Sequence, residues 1–272
     1  MEHKPSSTWD YAVAFFVAFL LFVFFGTYLY IRRGYMFDAP LTADPLYVPN
    51  KVIASTGLVM LGLVFLIGPV SRYFDKFDKW IGYRKEVGIV AGFLLIAHGV
   101  ISYAFSPKKF PADTFFEPYN FNTTLAGLAG ILLLVFLTVI SLKFFIEKLG
   151  GVRWWFLQRW GLRLVVVFSL LHVIPMKWQG WEKWFLTGVP QTAELAMPWM
   201  TPASLLSSLF LVWVILVRLY ESFFLYKDFG FSTKEISIDP VLRQKGRQFF
   251  LASLWLLVFL YVIILSRWAA IG

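Results

Sequence analysis

Seven apolar stretches leave this chain one kind of fold. They lie at about 11–31, 52–70, 87–105, 123–142, 161–176, 203–217 (extending to about 226) and 249–266. A helix needs roughly 20 apolar residues to cross the hydrocarbon of a bilayer. Inside lipid the backbone must satisfy its own polar groups, which a helix does within one segment. The expectation is an all-α, polytopic transmembrane bundle of about seven spans. With 59% hydrophobic and only 15% charged residues in a chain of 272, a soluble domain is excluded. The first span reads as a retained helix, because its apolar run exceeds that of a signal peptide and no small-x-small cleavage site precedes Tyr30 and Arg32. The fifth is short unless Trp160 and Trp178 mark its interfacial edges.

Charge sets the expected orientation. Counting Arg163 with the fourth connection, 17 of the 25 Lys and Arg fall in the N-terminal tail and the second, fourth and sixth connections. The other side holds 8. The positive-inside rule then predicts a cytoplasmic N-terminus and, with seven spans, an outer C-terminus. A net charge of +9 gathered on one face suits anionic lipid headgroups. No nucleic-acid module, P-loop, dinucleotide fingerprint or nucleophilic triad is visible. The absence of cysteine excludes disulfides, thiol catalysis, iron–sulfur clusters and thiolate-bound metals.

Among Asp, Glu, Lys, Arg and His side chains, His98 and His172 are the only ones placed well inside these spans. A polar group at membrane depth is costly unless bonded or ligating, so each is a candidate site residue. His98 follows Lys85 by 13 residues and His172 follows Arg159 by 13, a rise of about 20 Å along helices that run in the same direction. The imidazoles are therefore expected at one level, in the outer half of the bilayer. Two neutral imidazoles can fill both axial positions of a b-type haem, leaving an iron suited to electron transfer. Ala91, Leu94 and Leu95 share a face with His98, as Gly161, Val165 and Phe168 do with His172, and their sizes suit a flat ligand. Zinc or copper is a poorer fit, because such sites usually take three or four protein ligands. Hydrogen bonds across helix interfaces would also account for both histidines.

Several segments resemble a known family. RKEVGIVAGFLLIAHGVISY, from Arg84, looks like the haem-bearing helix of ferric-reductase-like transmembrane domains, with its basic pair, its Gly and its His about a dozen residues on. Thr56-Gly57 leading to Gly68-Pro69 and Arg72 is similar to the preceding family helix. WWFLQRWGLRLVVVFSLLHVI, from Trp154, resembles the fifth. The resemblance covers roughly residues 10–220 and is nearest to the haem-binding membrane subunit of periplasmic methionine-sulfoxide reductase systems, the MsrQ or YedZ type. It implies His98 and His172 as axial ligands of one haem b, and an oxidoreductase subunit or electron carrier in a bacterial inner membrane that passes electrons to an outer soluble reductase. Gln158 stands where the family usually has His, which leaves no second bis-histidine site. The remaining His3 is in the polar tail. No flavin or nicotinamide domain follows the helices in this sequence, which sets the expectation against a self-contained ferric reductase or NADPH oxidase. Residues 1–226 are read as the ferric-reductase-like core, and residues 227–272 as a cytoplasmic loop with an added helix.

With the haem in the outer half, a carrier at the inner face would shorten the electron's path. An FMN or a quinone is the expected class, supplied by a flavin reductase or a quinol donor. Arg72, Lys76, Lys79, Arg84, Lys85, Arg153 and Arg159 are placed to hold a flavin phosphate, with Trp154, Trp155 and Trp160 available for stacking. Ordinary positive-inside anchors and an aromatic belt would look the same. On the outer side, Lys108, Lys109 and Lys177 are candidates for haem propionates, and residues 177–202, with Trp178, Trp181, Trp184, Trp199, Pro190 and Pro198, read as an interfacial segment with turns. Gly88 with Gly92 and Gly57 with Gly62 allow close helix approach, and Arg218 most simply pairs with Glu221. The alternatives are a haem-free structural or assembly protein of the same fold and, more weakly, a transporter, since no carboxylate falls inside the predicted spans.

Overall fold

The structure, a computed structural model, describes residues 8–35, 45–105, 111–186, 200–225 and 239–266. It is all-α among these residues, and seven helices are long and apolar enough to cross a membrane. They are α1 (Thr8–Tyr30), α2 (Tyr47–Tyr73), α3 (Arg84–Val100), α4 (Pro118–Ile140), α5 (Gly151–Leu186), α6 (Ala203–Tyr220) and α7 (Pro240–Ser266). Three of them, α1, α3 and α6, run on into π-helical turns at Ile31–Tyr35, Ile101–Phe105 and Glu221–Leu225. A 3-10 segment, Asp75–Tyr83, leads into α3, and short helices Ala112–Phe116 and Lys143–Leu149 precede α4 and α5. The second of these ends at Gly150, whose φ of 73° is the left-handed conformation that a glycine adopts without a Cβ penalty.

The fifth helix departs from the sequence reading. Its 36 residues rise about 54 Å, well beyond the hydrocarbon thickness. Lys177, Trp178, Trp181 and Trp184 therefore lie on helix, where turns were expected. Trp181 and Trp184 are buried, and the Trp181 indole N–H donates to Ser204 Oγ at 3.1 Å. Pro175 sits inside α5 and removes one helical donor without ending the helix, a tolerance common in packed membrane helices. Arg163, just inside the inner end of the predicted span, lies over the Trp160 ring at 4.7 Å. Residues 187–199, with Pro190, Pro198 and Trp199, are outside the described residues, as are His3, Lys108, Lys109 and the stretch 226–238.

The core is built around α2. That helix is mostly buried, whereas α1 and α7 expose rows of Phe, Leu, Val and Ile that suit lipid. It packs on α1, α3, α6 and α7. Leu58, Leu61 and Phe65 of α2 join Leu211, Val214 and Val217 of α6, Leu134 and Leu137 of α4, and Val165 and Val166 of α5 in one apolar cluster. Small residues set the approach distances, as expected. A Cβ on Gly57 would fall 2.9 Å from Leu95 Cγ, and one on Gly62 would fall 2.7 Å from Phe210 Cε1. Gly88 faces Val64, and Gly92 faces Thr138 and Leu134.

The seventh helix shares this core through Phe250 and Leu257. Trp213 donates its indole N–H to Ser253 Oγ at 3.0 Å, Tyr261 donates to the Leu206 carbonyl at 2.7 Å, and Phe249 stacks on Tyr220 at 3.7 Å. At Gly246 the buried Tyr73 ring fills the space a Cβ would take. Arg247 donates to the Tyr73 carbonyl beside it. Gly246→Val should therefore force Tyr73 or α7 to move and destabilise the protein by about 1–3 kcal/mol. Thermal unfolding in detergent checks this, with Gly26→Ala, where nothing lies within 4 Å of the added Cβ, expected near wild type.

Candidate functional site

The two histidines are held in the same way at the same end of the bundle. His98 Nδ1 lies 2.8 Å from Asn50 Oδ1, and Asn50 belongs to the first turn of α2. His172 Nδ1 lies 2.8 Å from the Thr123 carbonyl oxygen, near the start of α4. The partners lie near the starts of two helices that run opposite to α3 and α5, in keeping with a common level for the imidazoles. A carbonyl oxygen only accepts, so His172 Nδ1 carries the proton and Nε2 its lone pair. Asn50 Nδ2 donates to Ser102 Oγ at 2.8 Å, and with the amide in this orientation Oδ1 faces His98 Nδ1, which then carries the proton as in His172. Neither Nε2 has a hydrogen-bond partner among the described residues.

Backbone geometry makes room for His172. A Cβ on Gly127 would fall 2.7 Å from His172 Nδ1 and 3.0 Å from Cε1. Only a glycine lets the ring reach past α4 to the Thr123 carbonyl. The helices that carry the histidines, α3 and α5, are bridged by α4, which packs closely on each, and have little direct contact of their own. His98 lies within electrostatic reach of both His172 and Lys177, and His172 within reach of Lys177. The expected pair and one of the three expected lysines are thus brought together. Asn50, Ser102, Thr123 and Gly127 were not singled out from sequence. The spacing of Asn50 from His98 carries no periodic signal, and the Thr123 contact uses main chain alone.

One step toward the basic end the bundle is closed. Ala91 is fully buried among Ala14, Ala18, Met60 and Val64. Leu137 lies where a Cβ on Gly161 would be, at 2.5 Å, and Leu95 does the same for Gly57. These small residues serve helix approach and do not leave open space. Gln158, at the position where the family usually has His, donates to the Leu137 carbonyl at 3.0 Å and to Ser141 Oγ at 2.8 Å. It ties α5 to α4.

The opposite end carries a second constellation. Glu221 is 2% exposed and is engaged through both oxygens, with Arg72 at 2.6 Å on Oε1 and Arg218 at 2.5 Å on Oε2. The expected Arg218–Glu221 pair is present, and Arg72 of α2 completes it. Arg84 lies within electrostatic reach of Arg72, Arg159, Arg218 and Glu221, so it belongs to a basic cluster of which Arg72 and Arg218 bond the carboxylate. Arg84 is half-buried, and its guanidinium makes no hydrogen bond to a described residue. Arg159 lies over the Trp155 ring at 3.5 Å, and Trp154 donates to the Ile140 carbonyl at 2.9 Å. The Trp faces proposed for stacking are therefore partly occupied by the protein itself. Lys76, Lys79 and Arg153 are exposed, and Lys85 is half-buried.

Carboxylates are present inside the helices after all. Glu221 follows α6, and Glu86, in the first turn of α3, is 2% exposed with Oε2 lacking a hydrogen-bond partner among the described residues. Glu86 falls just before the third apolar run and Glu221 in the inner extension of the sixth, so the sequence reading set them at the interface. An absence of carboxylates is no longer a ground for setting transport aside.

Residues 53–166 match the family described as the ferric reductase like transmembrane component. The match runs from α2 into α5. It includes His98 and ends before His172, and it supports a membrane electron-transfer subunit as the class of protein.

The Arg72–Glu221–Arg218 group gives a test of its own. Removing the charge of Glu221 leaves two guanidiniums facing each other, with Arg218 only 15% exposed. Glu221→Gln should cost about 3 kcal/mol, the low end for breaking a buried ion pair, because Arg72 remains 35% exposed. The thermal unfolding midpoint should fall accordingly, and Arg72→Ala should fall less.

Proposed function

We propose that this protein is a membrane cytochrome b-like electron-transfer subunit that carries one haem b between His98 and His172. The observation that carries the reading is the matched tautomer. Both imidazoles have Nδ1 engaged at 2.8 Å and Nε2 left to ligate, the arrangement in which a second bond fixes a metal-binding histidine. The limited direct contact between α3 and α5 supports room for a flat ligand. A haem b held by His98 and His172 would supply one-electron transfer there. Asn50 and Thr123 orient the two rings, Gly127 admits the second, and Lys177 offers a cation to a propionate from the same helix as His172.

The basic end suits the donor side. Arg84 and Arg159, with Arg72 and Arg218, bring more positive charge than Glu221 neutralises, which favours an anionic group such as a flavin phosphate. An FMN held there, or a quinol, would take electrons from a cytoplasmic flavin reductase or from the membrane pool. By the positive-inside rule this end is cytoplasmic, and the histidine end would serve an outer soluble acceptor of the periplasmic reductase kind. The location is then a bacterial inner membrane. Residues 1–226 form the electron-transfer core, with α7 as an added helix packed on α2 and α6.

Reduced-minus-oxidised absorption spectra of the purified protein test the central claim. Wild type should give a low-spin b-type signal, and His98→Ala and His172→Ala should each lose it. Gly127→Ala should reduce haem content with little change in helix content, because the added methyl meets the His172 ring. A haem-free wild type, after expression with adequate haem supply, would instead favour a structural or assembly protein whose histidines tie helices together.

The donor-side claim has a separate readout. Flavin fluorescence after denaturing the purified protein should appear for wild type and fall in Arg84→Ala. Protein that retains haem and releases no flavin would leave a quinol as the inner carrier.

A further inference from the structure

Asn50 is 2% exposed and belongs to α2, whereas His98 and Ser102 both belong to the α3 segment, four residues apart, with Ser102 in the π turn Ile101–Phe105. One amide bridges them. Its Nδ2 donates to Ser102 Oγ and its Oδ1 accepts from His98 Nδ1, each at 2.8 Å. An amide can present its oxygen or its nitrogen to a neighbour, and here the oxygen faces His98 while the nitrogen bonds the serine. An amide turned over would offer a donor to His98, which would move the ring proton to Nε2 and remove the lone pair needed for ligation.

The two rings also differ in what holds them. His172 is bonded to a main-chain carbonyl whose direction is fixed by α4. His98 is bonded to a side chain that is itself bonded to one further group, Ser102. A stronger acceptor on Nδ1–H raises the donor strength of Nε2 and stabilises the oxidised metal, and loss of the acceptor does the reverse.

We propose that Asn50, bonded to His98 and Ser102, is a positioning residue that fixes the ligating tautomer of His98 and sets how strongly that ring donates to the metal. The inference rests on the haem reading above. Asn50 does not itself touch the metal in this scheme. It acts through the imidazole, so altering it should shift the electronic properties of the centre and not only its occupancy.

The test is redox titration and low-temperature electron paramagnetic resonance of wild type, Asn50→Leu, Asn50→Asp and Ser102→Ala in detergent. Asn50→Leu should raise the midpoint potential and weaken haem retention, about 10-fold or more on the scale of comparable supporting groups. Asn50→Asp, a stronger acceptor, should lower the potential. Ser102→Ala should shift it in the direction of Asn50→Leu by a smaller amount, and it adds no buried charge, so the test stands if Asn50→Asp fails to fold. Nitrogen NMR of haem-free protein with labelled histidine should show the Nδ1–H tautomer at His98 in wild type and a mixture in Asn50→Leu. Haem-replete variants with the wild-type potential and low-spin signal would overturn this proposal alone. A wild type that binds no haem would overturn the parent reading and this one with it.

Discussion

A polar side chain that enters a hydrocarbon layer must find its hydrogen bond inside the protein, and this constraint organises the bundle. Each imidazole has its Nδ1 tied to a neighbouring helix, His98 to α2 and His172 to α4. The ties also decide the chemistry, because a ring bonded at Nδ1 has one nitrogen left and that nitrogen is a lone-pair donor. At the other end the same constraint acts on charge. Glu221 is buried only because Arg72 and Arg218 meet both its oxygens, since a lone buried carboxylate would carry a desolvation cost of several kcal/mol. Helix α2 takes part in both groups, supplying Asn50 at one end and Arg72 at the other, and its central position follows from having polar partners at both levels.

Much of the architecture was legible from hydropathy. All seven spans are present, because roughly 20 consecutive apolar residues have few other uses. Helix ends were less legible. Residues 177–186 were read as interfacial turns on the strength of Trp and Lys, yet α5 continues through them. The reason is that Trp181 and Trp184 are buried against neighbouring helices, and a tryptophan that packs in this way has the same sequence signature as one that floats at an interface. Glu86 and Glu221 were similarly set outside the spans because they border apolar runs, and only packing reveals that they are covered.

The candidate site was half legible. His98 and His172 stand out because a histidine is rare at that depth, and Lys177 follows from its place one to two turns beyond His172. Lys108 and Lys109 lie outside the described residues. Asn50 and Gly127 could not be recognised in the same way. An asparagine near the start of a span looks interfacial, and a glycine in a membrane helix looks like a packing residue, which Gly57, Gly62 and Gly161 indeed are. What distinguishes Gly127 is the identity of the group that takes its vacant side-chain space. That information lies in the rotation of α5 about its axis, which periodicity does not fix for a helix buried or lipid-facing on every side.

The unequal anchors of the two rings have a consequence for variation. The tie on His172 is written in main chain, so no single codon change at Thr123 alters its chemistry, and drift there is silent as long as the helix persists. The tie on His98 is written in one codon. A lineage of such proteins can therefore tune one ring by substitutions at Asn50 or Ser102 while the other stays constant, and the spread of residues tolerated at those two positions should mark the range of working conditions to which the bundle has been fitted.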